Sequence, residues 1–252
     1  MFRDVRERDL AGRLGGFIAE GEVVLNVLAR DGRHRARAVL IAEKRLEKLT
    51  PLIERLGDDV AVYAAGQAAM DAIAGFPIHR GILAYGERAP SLAAADLLTV
   101  AGASALVVLL FGIANHDNMG GVFRNAAAFG VSAVLLDSTC CDPLYRKAIR
   151  VSVGAALSTP FARLAPGEDA VALLRVHGYT PLALSPFGRT PLNTLIRPAR
   201  AAVLLGAEGP GLPVDILERA ETIAIPMAGA FDSLNVATTS GIVLHHLATC
   251  PT

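Results

Sequence analysis

Residues 232–242 constrain the fold of this chain more than any other segment. An apolar, strand-like stretch at residues 222–226 precedes them, and the chain then passes through a polar corner containing Ser233 and Asn235 into an apolar helix. Polar corners of this kind, where a strand ends, are where α/β proteins bind their ligands. The segment therefore predicts a ligand site in an α/β domain.

Two earlier segments follow the same plan. Residues 109–114 are apolar and lead into the polar, glycine-containing residues 115–124, and residues 202–205 lead into the glycine-rich residues 206–211. Because the carboxyl ends of parallel strands meet at one edge of a sheet, the three segments predict a single composite site.

The second part of the chain alternates strand-like and helical patterns, which predicts a layered α/β domain with a mainly parallel sheet. The strand candidates are residues 107–113, 133–136, 181–183, 202–205 and 222–225. Ordinary rules of chain connection predict that such a domain is unknotted and Rossmann-like.

The first part of the chain, from about residue 10 to residue 86, alternates helix and strand on a smaller scale. The predicted elements are helices at residues 21–29 and 46–56 and strands at residues 38–41 and 60–63. Residues 89–95 form a predicted hinge, so we expect one domain at residues 1–95 and a second at residues 96–252.

Composition limits the classes of function. Lysine plus arginine equals aspartate plus glutamate at 24 each, so any contact with nucleic acid must be local. Three cysteines give neither a disulfide framework nor paired zinc spacing, and the charged N-terminus lacks the apolar core of a signal peptide. These features predict a cytoplasmic protein. Residues 97–114 are uncharged and long enough for a membrane span, but their densest part, residues 106–111, is typical of a buried parallel strand.

The three segments together resemble the SPOUT superfamily, specifically the SpoU/TrmH-type RNA ribose 2′-O-methyltransferases. The family's motifs are matched, in the family's order and spacing, by Asn115, Asn118, Gly120, Arg124 and Ala126, by Gly206, Glu208, Gly209 and Gly211, and by Ile225, Pro226, Met227 and residues 233–236. The chain departs from the family pattern at His116, Asp117 and Ala237. The N-terminal part resembles, more loosely, a small ribosomal-protein-like RNA-binding domain.

The resemblance implies an S-adenosylmethionine-dependent transfer of a methyl group to a ribose 2′-hydroxyl of structured RNA. It also implies a deep trefoil knot in place of the unknotted domain, and a homodimer. No metal is expected, because no second His/Asp cluster accompanies His116 and Asp117. By analogy the N-terminal domain favours ribosomal RNA over transfer RNA as the substrate. The alternatives are a transfer RNA 2′-O-methyltransferase and a non-catalytic RNA-binding or ribosome-assembly protein. A nucleotide-dependent dehydrogenase is disfavoured because no Gly-x-Gly-x-x-Gly follows a strand.

The expected catalytic residues are Asn118, Arg124, Glu208, Ser233 and Asn235. Asn118 is predicted to cap a helix whose N-terminus, with Gly120 and Gly121, forms an anion site under the guanidinium of Arg124. The family assigns Arg124 as the base, but a guanidinium is a poor base, so orientation of an RNA phosphate is an equal alternative.

The other three expected catalytic residues also have structural alternatives. Glu208 either holds the site together or caps a helix that begins at Pro210. Ser233 and Asn235 either position substrate or cap the helix predicted at residues 236–247.

Cofactor and RNA contacts complete the expected site. The residues expected to contact S-adenosylmethionine are Leu205, Gly206, Glu208, Gly209, Ile225, Pro226, Met227 and Leu234. Two basic clusters are candidate phosphate contacts or, alternatively, ordinary solvated surface: Arg33, Arg35 and Arg37, and Arg146, Lys147 and Arg150.

Overall fold

The structure is a computed structural model that describes Phe2, residues 15–75, Ile78, and residues 80–228 and 233–249. The chain divides into two compact units, Met1–Pro90 with Pro143–Ser158, and Ser91–Asp142 with Thr159–Thr252. The predicted boundary after residue 95 lies close to the first division. Pro143–Ser158, however, lies with the first unit although the sequence placed it in the second domain. The roles expected of the two domains stay predictions.

The described residues form the following elements. The α-helices are α1 Glu22–Asp31, α2 Leu46–Leu56, α3 Gln67–Ala74, α4 Ala94–Val100, α5 His116–Ala128, α6 Arg146–Val151, α7 Ala155–Ser158, α8 Ala170–Val176, α9 Val214–Arg219 and α10 Val236–Thr249. The strands are β1 Gly16–Glu20, β2 Arg35–Ala42, β3 Ala61–Ala65, β4 Ile82–Glu87, β5 Ala105–Leu110, β6 Ala133–Leu136, β7 Phe161–Arg163, β8 Thr180–Leu184, β9 Thr190–Pro191, β10 Arg200–Leu205 and β11 Glu221–Ala224. Two 3-10 helices lie at Glu43–Arg45 and Leu192–Thr194.

The first unit is built on a four-stranded mixed sheet with the order β1-β4-β2-β3. Strand β4 is antiparallel to both of its neighbours, and β2 pairs with β3 in parallel. Ile18, Leu40 and Leu83 contribute to its buried core. The predicted helix at residues 46–56 is α2, whose apolar residues repeat at helical spacing. Strands β1 and β4 had not been predicted, because nearly all of their residues are buried and an alternating pattern is therefore missing.

Helices α6 and α7 belong to the first unit although they follow much of the second unit in the sequence. Helix α6 packs against β1, and α7 packs against α1. The guanidinium of Arg146 lies 3.6 Å from the carboxylate of Glu20, which is only 5% exposed. Gly154 adopts a positive φ of 88°, and a β-carbon there would lie 3.1 Å from the Val27 side chain. Close approach of this segment to α1 therefore depends on glycine.

The second unit is built on a seven-stranded sheet with the order β7-β6-β5-β10-β8-β11-β9, in which every described pairing is parallel. This confirms the prediction of an α/β fold with a mainly parallel sheet. Strand β5 is buried along its whole length, which explains its unbroken apolar run. It ends at Leu110, before the predicted end at residue 113, and Gly112 turns the chain away with a positive φ of 65°. In the described part of the chain, no helix is long and apolar enough to cross a membrane.

Two helices begin at the loops that follow strands of this sheet at its carboxyl edge. Helix α5 follows β5, α10 follows β11, and the two pack against each other. A β-carbon on Gly121 of α5 would lie 2.6 Å from the β-carbon of Ala237 of α10, closer than side chains can approach. The small residues at these two positions therefore let the helices come together, which brings the first and third sequence motifs close to each other.

Candidate active site

The side chain of Asn235 joins the three motifs. Its Nδ2 donates to Oδ1 of Asn118 at 2.8 Å and to Oε1 of Glu208 at 2.7 Å. Its Oδ1 accepts from the backbone nitrogens of Ala237 at 3.0 Å and Thr238 at 3.2 Å, and so caps the N-terminus of α10. The two roles considered for Asn235, helix cap and site residue, are therefore filled by different atoms of one amide.

Asn118 is not the helix cap that the sequence predicted. Helix α5 begins at His116 and its N-cap is Asn115, whose Oδ1 accepts from the backbone nitrogen of Asp117 at 2.8 Å. Asn118 lies in the first turn and is 7% exposed. Since its Oδ1 accepts from Asn235, its Nδ2 is the group left to bind a ligand; within the described residues that nitrogen has no hydrogen-bond partner.

The anion site expected at Gly120 and Gly121 is also wrong. Both residues lie inside helix α5, beyond its first turn, and Gly120 is buried. Gly121 faces Ala237 and provides room for α10. Gly121 therefore serves helix packing, and neither glycine lies at the helix N-terminus, where an anion would bind.

Arg124 is exposed on α5 and does not form part of the cavity wall described below. Its guanidinium makes no hydrogen bond or ion pair with any residue that the structure describes. It is available to a ligand that approaches from solvent.

Asn125, which the sequence analysis missed, fastens α5 to α10. Its Nδ2 donates to the carbonyl oxygen of Ala237 at 2.8 Å and to Oγ of Ser240 at 2.9 Å. Ser240 is fully buried. An asparagine in mid-helix is intrinsically unfavourable, and that conflict with helix propensity was the only signal the sequence offered.

A cavity of about 430 Å³ opens at the carboxyl ends of β8, β10 and β11 and at the start of α10. The predicted cofactor residues that line it are Leu205, Gly206, Glu208, Gly209, Ile225, Met227 and Leu234. Ser233 and Asn235 line it as well, whereas Pro226 does not. Leu184, Ser185 and Pro186 are lining residues that had not been predicted. They follow the same plan as the three motifs, because an apolar strand ends there at a polar residue.

The loop after β10 is shaped by a contact between its two ends. A β-carbon on Gly206 would lie 2.2 Å from the backbone carbon of Gly211, and the backbone nitrogen of Gly211 donates to the carbonyl oxygen of Ala207 at 3.0 Å. Gly209 and Gly211 both adopt positive φ, of 88° and 71°. This closed loop presents Glu208 to Asn235.

Charge in the cavity is sparse. Among the residues that the structure describes along its wall, Glu208 has the only ionisable side chain, and most of the others are apolar. The walls therefore suit a largely apolar ligand that carries neutral or positive groups near Glu208.

Two cysteines follow the carboxyl end of the neighbouring strand β6. Burial raises the pKa of the Cys140 thiol to about 12 and that of Cys141 to about 11. Both are therefore protonated and weakly nucleophilic near neutral pH. Within the described part of the chain, no group of three or more His, Cys, Asp and Glu side chains is placed to hold a metal ion.

The two basic clusters, far apart in the sequence, lie in the same first unit. Arg35 and Arg37 lie 3.5 Å and 3.4 Å from the carboxylate of Asp59, and Arg37 also pairs with Glu87. Such exposed pairs are weak and exchange readily with other anions. Arg33 is half-buried, whereas Lys147 and Arg150 are exposed on α6. Arg146 differs from the rest because its partner, Glu20, is buried.

Comparison with known proteins identifies similar chains. Residues 105–245 match the model of the SpoU rRNA Methylase family. The chain is 36% identical to an uncharacterized tRNA/rRNA methyltransferase of Mycobacterium tuberculosis (strain CDC 1551 / Oshkosh), over 97% of this chain and 86% of the relative. It is 28% identical to a 23S rRNA (guanosine-2′-O-)-methyltransferase of Acinetobacter baylyi, over 90% of this chain and 89% of the relative.

Solved structures share the fold. An AdoMet-bound rRNA methyltransferase from Sinorhizobium meliloti superposes with a TM-score of 0.81 at 24% identity, over 96% of this chain and 90% of the other. The SpoU methyltransferase AviRb from Streptomyces viridochromogenes, in complex with AdoMet, superposes with a TM-score of 0.78 at 23% identity, over 96% and 92%.

Proposed function

Because this chain belongs to the SpoU rRNA methylase family, we propose that it transfers the methyl group of S-adenosylmethionine to a ribose 2′-hydroxyl of ribosomal RNA. The observation that carries the proposal is the hydrogen-bonded set Asn118, Asn235 and Glu208 at the edge of the cavity. A protein that only bound RNA would not need side chains from three separate segments held together in this way.

The cavity suits S-adenosylmethionine. Its volume lies within the range of roughly 300–1,000 Å³ that small-molecule sites occupy. Leu205, Ile225 and Leu234 supply apolar walls for the adenine, and the backbone of the Gly206–Gly211 loop supplies hydrogen-bonding groups. The carboxylate of Glu208 complements the positive sulfonium. The bound cofactor would supply an electrophilic methyl group, so the chain must chiefly align the attacking oxygen.

The alignment of that oxygen is the role that we assign to Asn118 and Ser233. The Oδ1 of Asn118 is engaged by Asn235, so its Nδ2 is the atom that would donate to the ribose. The hydroxyl of Ser233 lines the cavity and is a second hydrogen-bonding group for the ribose. Asn235 and Glu208 act through Asn118 and through the shape of the Gly206–Gly211 loop.

Arg124 is assigned to the RNA phosphate beside the target ribose. Its exposed guanidinium is planar and can bind a phosphate with two parallel hydrogen bonds. A guanidinium is a poor base, so orientation and charge stabilisation are its proposed contribution rather than proton abstraction.

Family membership also supports a proposal for the finer architecture. We propose that the second unit contains the trefoil knot, that the protein is a cytoplasmic homodimer, and that residues 1–95 form a ribosomal-protein-like RNA-binding domain. Arg33, Arg35 and Arg37, together with Arg146, Lys147 and Arg150, would contact phosphates. Their grouping in one compact unit supports a shared RNA surface, since phosphate contacts supply most of the affinity for RNA.

Ribosomal RNA is preferred to transfer RNA as the substrate because the Acinetobacter baylyi relative is named for guanosine methylation of 23S rRNA. The test is methylation of ribosomal RNA, and in parallel of transfer RNA, from a strain that lacks the protein. Purified protein and S-adenosylmethionine should add one 2′-O-methyl nucleoside to the ribosomal RNA, detected by mass spectrometry. Methylation of the transfer RNA alone would show that transfer RNA is the substrate. Methylation of a base would refute the ribose assignment.

The identity of the acceptor atom has its own control. A ribosomal RNA fragment carrying a single 2′-deoxy substitution at the modified nucleotide should bind nearly normally and accept no methyl group, since only the 2′-hydroxyl has been removed. Methyl incorporation into the substituted nucleotide would contradict the proposed chemistry.

A further inference from the structure

We propose that Phe187, in the loop between β8 and β9, is a stacking platform for an unpaired RNA base at the rim of the cofactor cavity. The inference rests on the proposed function, which places RNA at this edge of the sheet. It adds a contact that none of the three sequence motifs contains.

Phe187 is exposed to an unusual degree. Its side chain is 87% exposed, which is the highest value among the large hydrophobic residues of the described part of the chain. The other phenylalanines there include Phe17 and Phe123, which are buried in the two units. A large aromatic ring held in water is unfavourable unless a partner covers it.

The loop that carries Phe187 is firmly held. The backbone nitrogen of Ser185 donates to the carbonyl oxygen of Ile223 at 3.0 Å, and its Oγ accepts from the backbone nitrogen of Phe187 at 3.2 Å. The backbone nitrogen of Gly188 donates to the carbonyl oxygen of Ser185 at 3.0 Å. On the far side of the turn, the backbone nitrogen of Arg189 donates to Oγ1 of Thr222 at 3.1 Å.

Gly188 also lets the loop pack closely against β11. A β-carbon at Gly188 would lie 2.3 Å from the backbone carbon of Ile223, so there is no room for a side chain. The ring of Phe187 is therefore presented on a fixed backbone, and little backbone entropy is lost when a ligand binds it.

The position of the loop beside the cavity indicates which kind of ligand covers Phe187. Ser185 and Pro186, the two residues immediately before Phe187, line the cavity proposed for the cofactor. A ring at that rim is next to the place where the target nucleotide must enter. Aromatic side chains stack on unpaired bases regardless of sequence because every base has a π-face.

Arg189 supports an RNA ligand rather than an apolar one. Its side chain is exposed, and within the described residues its guanidinium has no hydrogen bond or ion pair. The nearby carboxylate of Glu221 is engaged with Oγ1 of Thr190 at 3.5 Å. An aromatic ring followed two residues later by a cation matches the combination of stacking and phosphate contact in single-stranded RNA sites.

Fluorescence tests the contact directly, because the chain contains no tryptophan. Phe187→Trp in the full-length protein places one indole in the proposed site, and Val176→Trp is the matched control. Val176 is 83% exposed and precedes β8, whereas Phe187 follows it, so the control lies at the opposite edge of the sheet. Both variants are titrated with a single-stranded oligoadenylate and with an adenylate–uridylate duplex, at saturating S-adenosylhomocysteine.

We expect the single strand to quench the Phe187→Trp emission strongly, the duplex to quench it weakly, and neither to affect Val176→Trp. Equal quenching of the two variants, or none in Phe187→Trp, would overturn the proposal. This assay needs no turnover, so its failure is distinguishable from failure of the proposed methyl transfer.

Kinetics provide the second test. Phe187→Ala should raise the KM for ribosomal RNA about tenfold, while Phe187→Tyr stays close to wild type and cofactor affinity is unchanged in both. Sedimentation of Phe187→Ala tests the alternative that a second copy of the chain, and not an RNA base, covers the ring. A loss of dimer in that variant would show that Phe187 packs against a second copy of the chain, and the stacking proposal would be wrong.

Discussion

Asn235 donates to Asn118 through a 2.8 Å hydrogen bond that joins residues 117 positions apart in the sequence. The second proton of the same Nδ2 goes to Glu208, and Oδ1 accepts two backbone N–H groups of α10. A primary amide has two donors and two acceptor lone pairs, so Asn235 is fully used within the chain. We therefore infer that Asn235 is a positioning residue and that Asn118 is the amide that contacts substrate.

Asn235→Asp should abolish most of the activity. The new oxygen would face Oε1 of Glu208 and Oδ1 of Asn118, so two hydrogen bonds become repulsive contacts, at a cost of about 1–3 kcal/mol in the free energy of unfolding. We expect methyl transfer to fall by at least about 100-fold, measured as kcat/KM for ribosomal RNA.

A second substitution provides the control for that result. Glu208→Gln in the Asn235→Asp background gives the new carboxylate a neutral donor, and we expect it to recover most of the lost stability, measured by urea unfolding. Additive losses in the double variant would show that the two side chains do not interact as their 2.7 Å contact indicates.

Gly206→Ala should impair cofactor binding. Its β-carbon would have to occupy a point 2.2 Å from the backbone carbon of Gly211, so the loop must open and the cavity wall must move. We expect the Kd for S-adenosylmethionine, measured by calorimetry, to rise at least about tenfold, which corresponds to about 1.4 kcal/mol. Gly102→Ala is the control, since a β-carbon there meets no atom within 4 Å. Normal cofactor affinity in Gly206→Ala would mean that this wall is not part of the cofactor site.

Local sequence patterns predicted the regular elements where one pattern dominates. Helix α2 and strand β6 match the predicted residues 46–56 and 133–136, because a strongly amphipathic segment and a short apolar run are each bounded by polar residues or glycine. Strands β7 and β9, of three and two residues, are too short for a pattern and depend on their neighbours in the sheet.

The predictions for the site were wrong where the local sequence allowed two different structures. Asn115 and Asn118 are both suitable helix caps, and the choice between them depends on Asn235, which is distant in the sequence. The placement of Pro143–Ser158 in the first unit similarly depends on Glu20 and on room beside Val27. Long-range contacts of this kind leave little trace in a single sequence.

His34 should make the first unit less stable in acid. It is 6% exposed, its Nδ1 accepts from the backbone nitrogen of Ala89 at 3.0 Å, and burial, with Arg33 and Arg88 nearby, lowers its pKa from 6.5 to about 4. Between those values the unfolded chain binds more protons than the folded chain. The contribution of His34 is therefore complete above about pH 6.5 and is lost as the pH falls toward about 4, by up to about 3 kcal/mol.

Urea unfolding of the wild type and of His34→Gln at a series of pH values measures this contribution. Glutamine retains a hydrogen-bond acceptor but does not titrate, so the difference between the two proteins should shrink as the pH falls through this window. Parallel stability curves would show that His34 is not the titrating group.

Arg124→Ala should separate catalysis from cofactor binding. Arg124 is exposed on α5 and lies outside the cavity wall, so the Kd for S-adenosylmethionine should stay within a few-fold of wild type. Methyl transfer to ribosomal RNA should fall by at least about 100-fold, because the phosphate beside the ribose would lose the bidentate partner that we propose for it. The salt dependence of RNA binding provides a further measurement: the slope of log K against log salt should decrease by about one, as expected for one phosphate contact.

Arg175→Ala removes another exposed arginine of the same unit and should leave activity and slope unchanged. Equal losses of cofactor affinity and activity in Arg124→Ala would place Arg124 in the cofactor pocket, and an unchanged slope would mean that it does not contact a phosphate.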